Sequence, residues 1–554
     1  MFNSNLFKTQ LSKRMIFILS LVIGSLCFLL LYGTTPLHVT NDNWIMAAID
    51  EDDIIQHYAG WTMFRAGEWA FPIGLIKNMA AGTGTVLSYT DSIPVVAILF
   101  KALFGIVGYD GKFQYFGWFT LLCFVLQAYA AGLLVKRKTT NIMFVTFSMV
   151  LFCFAPPLLD RTLRHTALGA QFLVLFSMLL YFKQRDEKYT KMHPGYCILA
   201  FLAVGIHPYF LPMVMIFCLL STVEGCVFTK KYKIWIGQFI FACASAILTG
   251  KVLGVFESSG DVERDGYGHY TMNLLAPFNP EGGVGYKWSR FLPTLGMTNG
   301  NYEGFNYLGL GMIILIAVLV IYKILMVIKK KDRLLEKRHL GYLIIMIFMT
   351  MFAVSNVVTI GHKELFSVPM PSFLIDLCGI FRSSGRMFYP VFYSIYLLAL
   401  YRLYDLIENN IYIPVAVICF LTLVQLGDFS EVVKQKHERM SQAAFYQSIL
   451  DDVSVNRLAK GCDKIVATRK YRDLCVFAGL HDMTTSFSAA TGGTWDKAYL
   501  IRDQYVGDLE KGRHDGKTMF VTDSWTQATD WVSANSDLEM YQYNDDEYIV
   551  APVR

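Results

Sequence analysis

From Met15 to Tyr32 the chain runs without a charged side chain, a stretch long enough, as a helix, to cross a hydrocarbon core about 30 Å thick. Comparable runs follow at Tyr115 to Val135, Met143 to Phe154, Thr166 to Phe182, Tyr196 to Phe228, Ile234 to Leu253, Leu308 to Ile328, Gly341 to Ile360, Met387 to Leu403 and Ile411 to Leu426. Lipid offers no partner to a bare N–H or C=O, so a chain built of such runs must pair its backbone within each of them and fold as a polytopic helical bundle. Composition leaves no soluble alternative, because 54% hydrophobic against 17% charged residues cannot cover a water-facing surface. The first run follows a basic start, as in a signal peptide, but lacks a small-x-small exit and reads as an uncleaved first helix.

Two segments decide the topology. Ile93 to Gly108 is short for a span and carries Lys101, whereas Tyr196 to Phe228 is too long for one helix and is broken at His207-Pro208. If the former does not cross and the latter is a tight hairpin, the basic clusters at Lys136 to Lys138, Lys183 to Lys191, Lys230 to Lys233 and Lys329 to Arg338 all face the cytoplasm, as the positive-inside rule favours. The opposite choice at both places keeps the parity but leaves two basic loops outside. Either scheme implies about 11–12 membrane helices, with loops 34–91, 254–307 and 361–386 and everything after Gly427 on the outer side. The net charge of +5 is spread over short loops, which fits membrane orientation and no nucleic-acid partner.

From Asp428 the composition turns soluble, with short β-type runs KIVAT, LCVFAGL, KTMFVTD and EYIVAPV between charged segments. The organisation expected is a transmembrane domain, 1–427, followed by a soluble extracytoplasmic α/β domain, 428–554. Its Trp495, Trp525 and Trp531 suit either core packing or a sugar-stacking face. Most of the 11 cysteines lie in apolar spans and behave as small hydrophobes; Cys378, Cys462 and Cys475 fall in polar segments, and a Cys462–Cys475 disulfide is open but unsupported.

Chemistry concentrates in the outer loops. Asp50 to Asp53 opens a segment in which Asp53, Gln56 and His57 share one helix face, with Gly60 leaving room beside it. A carboxylate beside an imidazole and an amide suits a general base for a sugar hydroxyl; four acids at a helix start also suit plain capping of the helix dipole. Arg65 and Trp69 follow, and Asp91 is either a second outward carboxylate or the cap of the next helix. Arg164, His165 and His207 at the outer helix ends suit a lipid-linked phosphate, while Arg161 alone reads better as an interfacial anchor. Glu303, Asn306 and Tyr307 present polar groups at the membrane boundary, and Arg382 and Arg386, four apart around Ser-Ser-Gly, look like a phosphate clamp. No Cys/His zinc spacing, Walker loop, GxSxG elbow or Rossmann fingerprint is present in the sequence.

Together DIIQHYAGWTMFR (53–65), FPIG (71–74), TDSIP (90–94) with Lys101, YEGFNYLGLG (302–311) and FRSSGR (381–386) resemble a family of bacterial multi-span proteins classed with the GT-C glycosyltransferases and named mostly as a domain of unknown function. The resemblance implies a polyprenyl-phosphate-linked sugar as donor and an essential acid in the first outer loop, which maps to Asp53, with Asp52 next. It implies inverting transfer to an acceptor hydroxyl, with Arg382, Arg386, Arg164 and His165 holding the departing phosphate. The acceptor is not fixed by the resemblance; the outward acidic loop, arginine pairs and appended domain lead to the expectation of a surface glycan at the outer face of the cell membrane. Some GT-C enzymes use a divalent metal, Mg or Mn, for which Asp53, Asp91 and Glu303 would supply oxygens. A flippase or transporter for a lipid-linked glycan is the rival reading, with Lys101, Glu224 and Lys251 as its deeply placed ionisable groups. A non-enzymatic scaffold of a polysaccharide-assembly complex is the third.

Overall fold

The computed structural model describes residues 11–48, 53–257, 266–329, 339–406, 412–490, 496–544 and 546–554. Apolar helices occupy each expected run. Among the described residues six are long and apolar enough to cross a membrane: Lys13–Tyr32, Phe116–Lys136, Thr166–Asp186, Phe210–Thr229, Tyr232–Leu253 and Leu310–Ile328. Shorter apolar helices at Ile142–Cys153, Gly195–Ile206 and Leu340–Val354, with Tyr389–Leu406 and Tyr412–Asp428, complete the bundle. Phe116–Lys136 lies centrally, with 67% of its span buried against protein, whereas Leu310–Ile328 buries only 17% and turns leucine, isoleucine and valine outward, as a lipid-facing helix does. One expected boundary moves. Gly341 to Ile360 is helical only to Val354, because Ser355 takes φ +68° and the chain turns into a hairpin.

The pairing of the loops gives the bundle two chemically distinct ends. At one end Arg137 pairs with Asp186 and Lys138 with Asp405. At the other, loop 254–307 bonds loop 355–388 through Asn273 to Thr359 and Glu303 to Arg386. Here too His207 meets Asp91, so the break before Pro208 is a hairpin at this end. The Pro94–Val107 helix returns to the end it started from: Arg65 donates to the carbonyls of Tyr109 and Gly111, and Lys112 pairs with Asp42 and Asp451. The basic stretch 330–338 and the acids Asp50 to Asp52 lie outside the described residues.

Among the described residues nine strands form three small sheets: hairpins β1 (Leu75–Ile76) with β2 (Thr85–Val86) and β3 (Val357–Ile360) with β4 (Lys363–Ser367), and a C-terminal sheet of β5 (Lys464–Ala467), β6 (Thr484–Thr485), β7 (Thr518–Thr522), β8 (Leu538–Asn544) and β9 (Glu547–Pro552). The last is ordered β6-β5-β7-β9-β8, parallel through β5 and antiparallel around β9. Three of the four expected β-runs are strands. The fourth, LCVFAGL, is instead the helix Arg472–Leu480, with Leu474 to Ala478 all buried. A short apolar run buried on two sides carries no period to tell helix from strand. Trp531 is in the core and Trp525 is exposed, Trp495 lies outside the described residues, and Cys462 and Cys475 are free thiols.

Candidate functional site

Loop 34–91 places its polar residues on the helix Asp53–Ala66. Asp53 occupies the first turn, where a carboxylate complements the helix dipole. Lys101 closes the other end, its Nζ donating to the carbonyls of Phe64 (2.6 Å) and Gly67 (2.7 Å). Ile54 to Phe64 are all buried because the helix is enclosed on two sides. On one, a Cβ at Gly60 would overlap the hydroxyls of Thr90 and Ser92; on the other, a Cβ at Gly479 would lie 2.6 Å from the carbonyl carbon of Thr62. Only glycine permits both approaches, and they fix where Asp53, Gln56 and His57 point.

Those side chains meet three elements from elsewhere. His165 lies between the carboxylates, Nδ1 3.8 Å from Asp53 Oδ2 and Nε2 3.7 Å from Asp91 Oδ2. His207 Nε2 is 3.2 Å from Asp91 Oδ1, and Gln56 donates to Asp91 Oδ2 at 3.4 Å. The His57 and His165 rings are 5.2 Å apart, and both nitrogens of His57 and Nδ1 of His165 are buried without a hydrogen-bond partner. Burial pushes the His57 imidazole down to about 4 against the pull of Asp91 and Asp53, and burial with the nearby Arg386 charge depresses His165 further. Burial works to raise Asp91, but His207 and His57 bring it below its ordinary value. Near neutral pH the Asp91 carboxylate therefore lies beside neutral His57 and His165 imidazoles. One ligating atom each from His57, Asp91 and His165 lie within 4.8 Å of one another.

An arginine network adjoins the cluster. Glu303 Oε2 receives Arg161 Nη2 at 2.9 Å and Arg386 Nη2 at 2.8 Å, while Asp160 faces Arg161 at 3.3 Å and Arg164 at 3.1 Å. Burial works to raise Glu303, but Arg161 and Arg386 hold it well below the usual carboxylate range. Three guanidiniums, those of Arg161, Arg164 and Arg386, thus lie behind the imidazoles, with Glu303 and Asp160 between them. Arg161 is thus not the interfacial anchor its sequence position suggested: it is 2% exposed and paired, because Glu303 and Asp160 both reach it.

The other candidate residues take different places. Arg386 turns into Glu303 and under the Tyr209 ring, whereas Arg382 stacks over Tyr270, so the two do not form the helical clamp their spacing suggested; residues 384–388 are a 3-10 turn. Asn306 ties loop to loop by donating to the carbonyls of Gly304 and Gly385. Tyr307 donates to Asp428, Arg65 holds the 109–111 turn, and Trp69 lies half-exposed beside Lys101.

Residues 21–430 match the family described as Domain of unknown function (DUF6311). The chain belongs to the DUF6311 family. No curated protein matches it. Among solved structures, an archaeal oligosaccharyltransferase, AglB from Archaeoglobus fulgidus, determined in complex with an inhibitory peptide and a dolichol-phosphate, aligns at a TM-score of 0.43 and 10% identity over 98% of this chain and 75% of that one. In this DUF6311 protein two site residues escaped sequence reasoning. Asp160 hides beside Arg161 in an apolar run. Arg472 opens the helix that reads as a strand, and its Nη1 donates to Asp53 Oδ1 at 3.3 Å. Arg472 acquires its role from a partner distant in sequence, whereas Asp160 pairs with its neighbours Arg161 and Arg164.

Proposed function

We propose that the protein is a GT-C-type membrane glycosyltransferase that moves a sugar from a polyprenyl-phosphate donor to a glycan acceptor at the outer face of the membrane. The observation that carries this reading is the juxtaposition of the Asp53–His57–Asp91–His165–His207 cluster with the Arg161–Arg164–Arg386 network at the loop-bearing end of the bundle. Asp53 takes the proton of the acceptor hydroxyl as its oxygen bonds to the anomeric carbon. The bond from that carbon to the phosphate oxygen breaks on the opposite face, inverting the centre, and the departing phosphate carries the electron pair towards the arginine network. A phosphate leaving group needs charge neutralisation more than a proton, which the guanidiniums of this network supply.

Orphaned nitrogens on His57 and His165 beside Asp91 fit a divalent ion of the manganese class better than magnesium, because imidazole is a poor ligand for magnesium. When bound there, such an ion would neutralise donor phosphate charge. Glu303 is occupied by its arginines and is not among those ligands.

The transporter reading loses support because Lys101 caps helix carbonyls and Glu224 accepts from Tyr181 and Tyr189. Purified protein with a panel of polyprenyl-phosphate sugars and envelope glycan tests the assignment. Asp53→Asn is expected to lose on the order of 10³-fold in kcat; transfer undiminished by that change overturns the assigned base.

A further inference from the structure

The helix Arg472–Leu480 belongs to the C-terminal domain, yet its first residue ends in the cluster of the first outer loop. We propose that Arg472 is a positioning residue for Asp53 and that the C-terminal domain is a wall of the site rather than an appended module. The inference rests on the assignment of Asp53 as base.

Three contacts of different kinds set this geometry. Arg472 Nη1 lies 3.3 Å from Asp53 Oδ1, and Arg472 is largely buried there. Seven residues later, two turns along the same helix face, Gly479 sits against the backbone of the Asp53–Ala66 helix, where an added Cβ would lie 2.6 Å from the Thr62 carbonyl carbon and 2.7 Å from the Met63 nitrogen. The third contact lies at the edge of the C-terminal sheet: the Thr485 N–H donates to the Asn78 carbonyl and the Ala80 N–H to the Phe487 carbonyl, both at 3.0 Å. The first outer loop thus extends the edge strand β6 by main-chain bonding.

With the helices locked, the guanidinium reaches one carboxylate oxygen from a fixed direction. Oδ1 is taken. Oδ2 stays 3.8 Å from His165, beyond hydrogen-bond range, and keeps its lone pairs for the acceptor proton. Arg472 would hold the carboxylate plane in that orientation and take no part in proton transfer. Misplacing a reacting group by about 1 Å costs roughly 100-fold in rate, so its loss should act on turnover more than on binding.

The experiment uses the full chain in nanodiscs. Arg472→Ala is expected to lower kcat about 10- to 100-fold with KM for the donor within about threefold. Arg472→Lys should recover most of the loss, and methylguanidinium in the buffer should restore part of it to Arg472→Ala, a rescue that a merely structural role would not show. A kcat within twofold of wild type for Arg472→Ala overturns the proposal, as does a loss that neither lysine nor methylguanidinium repairs. A second measurement needs no turnover: cysteines at Asn78 and Thr485 should form a disulfide under mild oxidation, read by mass spectrometry against the single-cysteine variants. Absence of that disulfide removes the docked domain and the proposal with it. If wild type transfers no sugar while the disulfide forms, the glycosyltransferase reading fails and the docked geometry stands.

Discussion

Glu303 shows how far a residue's role depends on partners the sequence does not announce. It read as a polar group at the membrane boundary and a metal ligand; in the folded chain it is the counter-ion of Arg161 and Arg386. Replacing it by glutamine takes the shared carboxylate away from the buried Arg161 and Arg386 guanidiniums, and removing one member of a buried ion pair costs about 3–5 kcal/mol. Glu303→Gln should therefore lower the unfolding midpoint in detergent markedly at neutral pH. The sign with pH follows from its depressed folded pKa against an ordinary value of 4.5. The unfolded chain binds the proton first, so the stabilisation is complete above about 4.5 and fades as pH falls towards the folded value. Midpoints of wild type and Glu303→Gln should converge on acidification below pH 4.5. A gap that stays constant or widens rules out the ionised role. That Asp53, Gln56 and His57 share one helix was legible because their spacing is that of a helix face. Arg382, Tyr307, Arg65 and Trp69 were equally conspicuous, and their rotamers are taken up by Tyr270, Asp428, the 109–111 turn and Lys101.

Among elements, the Asp53–Ala66 helix is the one on which the site depends, and Gly60 is its most exacting position. In an isolated helix a change from glycine to alanine gains about 1 kcal/mol. Here the added methyl overlaps the Thr90 and Ser92 hydroxyls, which bond each other and the His57 carbonyl. The clash outweighs the propensity, so the helix must shift away from the 90–92 turn that carries Asp91. Gly60→Ala is expected to reduce transfer at least tenfold and to lower, not raise, the unfolding midpoint. A more stable, fully active variant would show that the 90–92 turn yields freely and does not register Asp91 against His57. The sequence offered the glycine as space for a ligand; that space is filled by the protein itself. The Arg472–Leu480 helix was illegible for a related reason, since burial on both faces erased the alternation that separates strand from helix.

For the whole molecule, the helical bundle was readable because hydrophobic length is a global constraint that local packing hardly alters. The Pro94–Val107 helix is the exception that parity turns on. Fourteen residues rise about 21 Å, short of a hydrocarbon core, and the chain on either side is bonded to the same outer loop, through Ser92 to the His57 carbonyl before it and Arg65 to Tyr109 and Gly111 after it. A crossing there would pull Lys112 from Asp42 and Asp451. With this segment returning and His207-Pro208 forming a hairpin, every described basic cluster falls on the side opposite the site, and the positive-inside rule predicts that the site faces outward. Single cysteines at exposed Asp110, Lys188, Lys231 and Lys363 provide the measurement. In intact cells a membrane-impermeant maleimide is expected to label the variants at 110 and 363 and to reach those at 188 and 231 only after permeabilisation. Labelling of 231 without permeabilisation would place a basic loop outside. Protection of 110 would mean that the short helix crosses, and the carboxylates of the first outer loop could then no longer share one site with Arg386.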